Sequence, residues 1–243
     1  MGKYDKKPNI DEWGAMYNIE KLNEVIRRVN SGDVQVWAKE LETIVNGGSC
    51  LEIGCGTGIT SLWLASRGCN VCAMDYTESS VELVKSASQN LGIENIKVIR
   101  HDATKELPFE ENAFDFIFQA GLLEHFEDDE QIELLRMWKK YSKHMVSMIP
   151  NKASLAYHIG KKIQEDENRW DYGRETPKHS FIREFERAGI NVDKEYSIGA
   201  EWALKFLPKT HYIRDFYKQL MTDGYNLEEY MQGYLLVTIG TKE

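Results

Sequence analysis

The sequence is poor in proline, with five in 243 residues, which excludes a proline-rich linker or stalk. It has four cysteines, Cys50, Cys55, Cys69 and Cys72, all within 23 residues, and that clustering is not a secreted disulfide framework. No stretch approaches the roughly 20 apolar residues of a membrane-spanning helix. The start, MGKYDKKPNIDEW, lacks the apolar run of a signal peptide. The expectation is a cytoplasmic protein with no membrane partner. A basic surplus is also missing: 30 Lys and Arg face 39 Asp and Glu, a net charge of −9, so there is no broad footprint for nucleic acid. Residues 1–150 hold 24 acids and 16 bases, while the remainder holds 15 and 14. The acidity therefore belongs to the first part of the chain.

What is present is the composition of an ordinary globule, 42% hydrophobic and 28% charged, long enough to bury a full core without a disulfide or metal staple. From residue 49 short apolar runs alternate with helical periods, the pattern of a parallel sheet with crossover helices. SCLEIG, NVCAMD, IKVIRHD, FDFIFQA and HMVSMIP are the strand candidates, separated by helices over ITSLWLASR, SSVELVKSASQNL and DEQIELLRMWKKYS. A helix over HSFIREFERAGINV ends at Gly189, and the strands INVDKEYSI and YLLVTIGTK follow. IEKLNEVIRRVN and VQVWAKELETIV give residues 1–47 a helical extension, and residues 151–177 and 199–232 read as helical insertions into one domain spanning 1–243.

Cys69 and Cys72 form a C-x-x-C that, with Cys50 and Cys55, invites a four-thiolate zinc reading. NVCAMD as a buried strand sends residues three apart to opposite faces, so the thiols diverge. No helix N-terminus is at hand to activate a redox pair.

The most informative segment is LEIGCGTG, residues 51–58: a strand, three glycines, then a helix. Glycines let the backbone turn tightly and approach a ligand at a helix N-terminus, beside the carboxyl ends of the strands. Gly54, Gly56 and Gly58 give G-x-G-x-G, and Ile59 stands where a dinucleotide fingerprint needs its third glycine. That opposes a nicotinamide oxidoreductase. No Lys-Ser or Lys-Thr follows to make a P-loop.

The order of landmarks resembles the class I S-adenosylmethionine-dependent methyltransferases, over about residues 48–150. Glu52 precedes the glycine turn, Asp75 ends NVCAMD, Asp102 follows IKVIRH, and QAGLLEHF follows the fourth strand. The resemblance implies a Rossmann-like α/β fold, a seven-stranded, mostly parallel sheet with an antiparallel last strand. It also implies S-adenosylmethionine as methyl donor and S-adenosylhomocysteine as product. Asp75 suits the ribose hydroxyls, which a carboxylate accepts bidentately. Asp102, with Ala103 beside it, can accept from the adenine amine, and Tyr76 can pack on the ring. The resemblance also implies that Glu52 organises the methionine end and that Gln119 and Ala120 line it. Alone, either aspartate also reads as a strand-end or helix cap.

Methyl transfer from a sulfonium asks mainly for alignment and dryness. His125 is the candidate base, with a cap or packing role as its competitor. LLEH resembles the loop of methyltransferases of the ubiquinone-biosynthesis and type 11 kind. Some quinone-pathway members carry a further glutamate where this chain has Gly121, so Glu124 and His125 alone make a poor cation site and no metal is expected. The run Glu127 to Glu130 reads as a solvated helix start. An N-P-P-[YFW] base-methylase signature is missing.

Tyr157, His158, Trp170, Tyr172 and His179 are expected to form an aromatic acceptor pocket that Trp202 and His211 close, with Trp13 and Tyr17 as a lid. Packing within a subdomain or an oligomer contact is the alternative. The expected function is methylation of an O or N atom of a small molecule, by a monomer or homodimer without nucleic-acid partners. A non-catalytic S-adenosylmethionine-binding module or scaffold is the alternative.

Overall fold

The computed structural model describes residues 6–242; the first five residues of the N-terminal extension lie outside the described residues. Three helices come first, α1 (Ile10–Met16), α2 (Leu22–Ser31) and α3 (Val36–Val45). Asn9 and Glu12 start α1 with a capping box, each side chain accepting from the other's backbone N–H. The alternation then runs β1 (Ser49–Ile53), α4 (Ile59–Ser66), β2 (Asn70–Asp75), α5 (Glu78–Leu91), β3 (Ile96–Arg100), β4 (Phe114–Ala120), α6 (Asp128–Trp138) and β5 (Ser142–Pro150). After it come α7 (Leu155–Asp166), α8 (Ile182–Arg187), β6 (Ile190–Ile198), α9 (Ala200–Ala203), α10 (Tyr212–Thr222), α11 (Leu227–Tyr230) and β7 (Leu235–Lys242).

All seven expected strands join one sheet in the order β3-β2-β1-β4-β5-β7-β6. The first five are parallel, and β7 runs antiparallel between β5 and β6. The order reverses between β1 and β4. At such a switch point the connections leave in opposite directions and open a crevice at the carboxyl ends of the strands.

Apolar side chains cover both faces, as parallel strands require. Leu51, Ile53, Met74, Ile117 and Met145 pack with α6 and α8 on one side. Cys50, Val71, Phe118 and Val146 pack with α3 and α4 on the other. The four thiols are free and buried. Cys50 and Cys69 share one cluster, Cys72 belongs to the opposite one and Cys55 to a third, so the chain does not gather them into a zinc site.

One expectation changes. Residues 151–177 are helical only over α7; Asn168 and Gly173 take positive φ, which a continuing helix does not allow. The Trp170 indole donates to the Gly173 carbonyl at 3.0 Å and closes the resulting turn. Among the described residues no helix is long and apolar enough to cross a membrane.

Candidate active site

The glycine turn sits at the switch point. Gly54, Gly56 and Gly58 all have positive φ, 73°, 53° and 67°, where side chains with a Cβ are disfavoured. The turn is tied down rather than loose. Gly54 and Cys55 donate to the Met74 carbonyl, the Gly56 N–H donates to Asp75 Oδ2 at 3.0 Å, and the Ser80 hydroxyl donates to the Gly56 carbonyl. A Cβ on Gly58 would stand 2.3 Å from Val84 Cγ2, so this glycine serves the close approach of α5.

A cavity of about 530 Å³ opens over the turn, lined by Glu52, Gly54, Gly56, Asp75 and Tyr76 at one end, a volume in the range of small-molecule sites. Glu52 is buried and accepts from the backbone and hydroxyl of Ser61; burial pushes its carboxyl up to about 8. Asp75 Oδ1 accepts from the Thr77 N–H and hydroxyl, both at 2.9 Å. With Gly56 on Oδ2, three of its four acceptor sites are used. One remains for a ligand, a narrower offer than the bidentate hold expected from sequence.

The cavity continues past Ala120 to Glu124, His125, Tyr172, Glu175, Trp202, Phe206 and Tyr234, with Trp13, Tyr17 and Trp37 as further walls. Trp13 stacks on Tyr17, their centroids 5.8 Å apart, and meets the His125 ring edge-on at 5.2 Å. A Cβ on Gly56 would lie 3.3 Å from the Tyr17 ring. The N-terminal extension thus roofs both ends.

The loop after β4 is held by amides. Gln119 Oε1 accepts from the N–H groups of Leu122 and Leu123, its Nε2 donates to Ser147, and Gln131 Nε2 donates to the carbonyls of Leu123 and Phe126. The segment 174–176 docks on this loop: Thr176 donates twice to the Glu124 carbonyl, and His125 Nδ1 lies 2.8 Å from the Arg174 carbonyl. Because a carbonyl only accepts, Nδ1 carries the hydrogen. Burial holds the imidazole down to about 4, so it is neutral with a lone pair on Nε2.

That docking brings Glu175 to Glu124. One donor atom each from Glu124, His125 and Glu175 lie within 4.8 Å of one another. The expectation of no cation site rested on Gly121, and Glu175 brings a further carboxylate to Glu124 and His125 from a different element. Glu175 accepts from the Tyr157 hydroxyl and from Lys161 Nζ at 2.8 Å. Glu124 is 2% exposed, its Oε2 has no hydrogen-bond partner among the described residues, and burial together with the Glu175 charge raises its carboxyl well above the usual range.

The other predicted residues divide. Tyr172 and Trp202 line the cavity with the cofactor-end group, whereas Asp102, Ala103, Gln119, Tyr157, His158 and Trp170 are outside its lining. Asp102 Oδ1 accepts from Thr104, the Ala103 carbonyl accepts from the Trp138 indole, and Gln119 is the bracket described above. Tyr157 and Trp170 are buried supports, and His158 Nε2 lies 3.0 Å from the Lys152 carbonyl. His179 is exposed, and His211 caps α10 through Nδ1. Sequence reasoning missed Glu175, Trp37, Phe206 and Tyr234. The aromatic content of the insertions pointed only to Phe206.

Residues 50–144 match the family described as a methyltransferase domain. The match runs from β1 into β5, so this core is similar to methyltransferase domains. It is 35% identical over 94 residues to pavine N-methyltransferase of Thalictrum flavum subsp. glaucum, covering 37% of this chain and 26% of that one. It is 30% identical over 122 residues to demethylmenaquinone methyltransferase of Staphylococcus aureus, covering 46% and 49%. The chain therefore spans a quarter to a half of the length of these curated relatives. The fold also matches a TehB-like SAM-dependent methyltransferase from Corynebacterium glutamicum, with TM-score 0.56 and 16% identity over 92% of this chain and 97% of that one.

Proposed function

We propose that this protein is a methyltransferase that moves the methyl group of S-adenosylmethionine to an O or N atom of a small molecule. The carrying observation is one cavity with two unlike ends, a glycine turn with Asp75 and Glu52, and an aromatic compartment with Glu124, His125 and Glu175. The residues suit the donor. Backbone held at positive φ leaves room for close approach, Asp75 keeps one acceptor for a ribose hydroxyl, and Tyr76 stands beside it. When bound, S-adenosylmethionine supplies an electrophilic methyl on a sulfonium. The chain's task is to hold an acceptor in line and dry, which the Trp13 and Tyr17 roof and the Trp37, Trp202 and Tyr234 walls serve. Relatives named for methylating small molecules support the same class.

His125 is recast by its surroundings. With its proton affinity lowered and its Nδ1 hydrogen committed to Arg174, it positions a donor group through Nε2, and Glu124 is the group better able to take a proton. Titration calorimetry tests the reading: S-adenosylhomocysteine is expected to bind. Absence of heat with both it and S-adenosylmethionine at millimolar concentration would overturn the reading.

A further inference from the structure

We infer that the acceptor is a small organic acid, its anionic group received by Lys205 and Arg28 and its body by the Trp37 and Trp202 rings. The inference rests on the methyl-transfer reading and narrows its substrate to an anion.

Lys21, Glu24, Val25 and Arg28 recur at intervals of three and four, so they share one face of α2 and of the turn that leads into it, and all four line the cavity. Lys205, in the turn Leu204–Phe206 after α9, lines it as well, with Trp37 and Trp202. The Lys205 ammonium lies 3.4 Å from the centre of the Trp202 ring, and that ring meets Trp37 edge-on with centroids 5.2 Å apart. A ring face steadies a cation without neutralising it. An apolar wall and an ammonium thus stand side by side, the pattern that receives a flat molecule with an anionic end.

The charges here are not balanced. Among the described residues no carboxylate pairs with Lys205. Arg28, its side chain 17% exposed, donates from Nε to the Asp33 carbonyl at 2.9 Å and meets the exposed Glu24 only at 4.0 Å. The Asp33 carboxylate is taken by Arg27 at 3.4 Å. Loss of water lowers the proton affinity of Lys205, and Arg28 and Arg214 press the same way against Asp33 and Glu201. Arg214 has a buried Nε with no hydrogen-bond partner among the described residues. Cations gathered like this repel one another unless an anion stands among them. On the cavity lining itself Lys21, Arg28 and Lys205 face a single carboxylate, Glu24.

The rest of the lining holds no Lys or Arg. Its carboxyl groups, Glu52, Asp75, Glu124 and Glu175, do not neutralise an anion. Lys161 is occupied by Glu175, and Lys7 lies over the Phe126 ring, outside the lining. An acid therefore finds one seat for its charge, which fixes the end that is left to meet the methyl group. The competing claimant for that seat is the carboxylate of S-adenosylmethionine itself.

The test titrates the protein loaded with S-adenosylhomocysteine with benzoate, phenylacetate and cinnamate, and with the primary amide of each, which keeps the shape and removes the charge. At least one acid is expected to bind roughly ten-fold more tightly than its amide. Lys205→Met is expected to lose that margin and Lys205→Arg to keep it, both with unchanged circular dichroism, since Lys205 is exposed. Amides that match their acids throughout overturn the inference, as does an acid margin that survives in Lys205→Met. Absence of binding by every acid at millimolar concentration overturns it too. A Lys205→Met protein that loses affinity for S-adenosylhomocysteine assigns the ammonium to the donor's carboxylate and also overturns it. Failure of S-adenosylhomocysteine to bind the unsubstituted protein overturns methyl transfer and the inference with it. Its binding without an acid margin counts against the acid alone.

Discussion

The two ends of the cavity are made differently. The cofactor end is made by backbone: the turn from Gly54 to Gly58, fixed by positive φ and by hydrogen bonds to the next strand and helix. The acceptor end is made by side chains from α1, α3, the loop after β4, residues 172–175 and the segment before β7. A backbone device needs particular residues at fixed short spacing, whereas a side-chain compartment needs only that distant segments dock. The first tolerates almost no substitution, and the second can change its lining without changing the fold.

The largest expected effect tests the intolerance of the backbone end. Gly58→Ala puts a methyl 2.3 Å from Val84 at a φ of 67° and should cost roughly 2–5 kcal/mol from strain and overpacking together. Calorimetric unfolding checks this, and an unchanged Tm would mean that the turn and α5 yield easily. Next, Asp75→Ala removes both a ligand acceptor and the anchor of the Gly56 N–H. S-adenosylhomocysteine affinity, read by titration, should drop about a hundred-fold, or about 3 kcal/mol. Asp102→Ala should cost less, about 1 kcal/mol, because that carboxylate is exposed and turned to Thr104. An effect equal to that of Asp75→Ala would return Asp102 to the adenine site that the resemblance implies.

A separate effect is one of pH. Glu52 has an ordinary value of 4.5 and is raised by burial to about 8. The folded state therefore holds its proton more tightly than the unfolded one. This contribution to stability is complete below about pH 4.5 and fades as pH rises through 8. Glu52→Gln stays neutral, so its Tm should gain on the unsubstituted protein between pH 5 and 8. His125, lowered to about 4, acts in the opposite sense below pH 6.5 but equally in both proteins, so it cancels in the difference.

The same division explains what was legible in the sequence. All seven strands and the glycine turn could be read, because apolar runs and glycine spacing are local signals. Asp75 was legible because a strand end fixes its position. Glu175 was not, since its place at Glu124 depends on Thr176 and Arg174 hydrogen-bonding to a loop some fifty residues earlier. Tyr157 and Trp170 look like pocket residues by composition, yet they support the pocket from behind, because an aromatic ring fills a core as readily as it lines a site.

The scattering of the four thiols has a practical use. Cys50 and Cys69, Cys55, and Cys72 are buried in three different clusters, on the two faces of the sheet and under the N-terminal helices. No folded opening of one layer exposes all of them. The order in which a thiol reagent labels them, resolved by mass spectrometry, would report which layer of the protein comes apart first, without introducing a single probe.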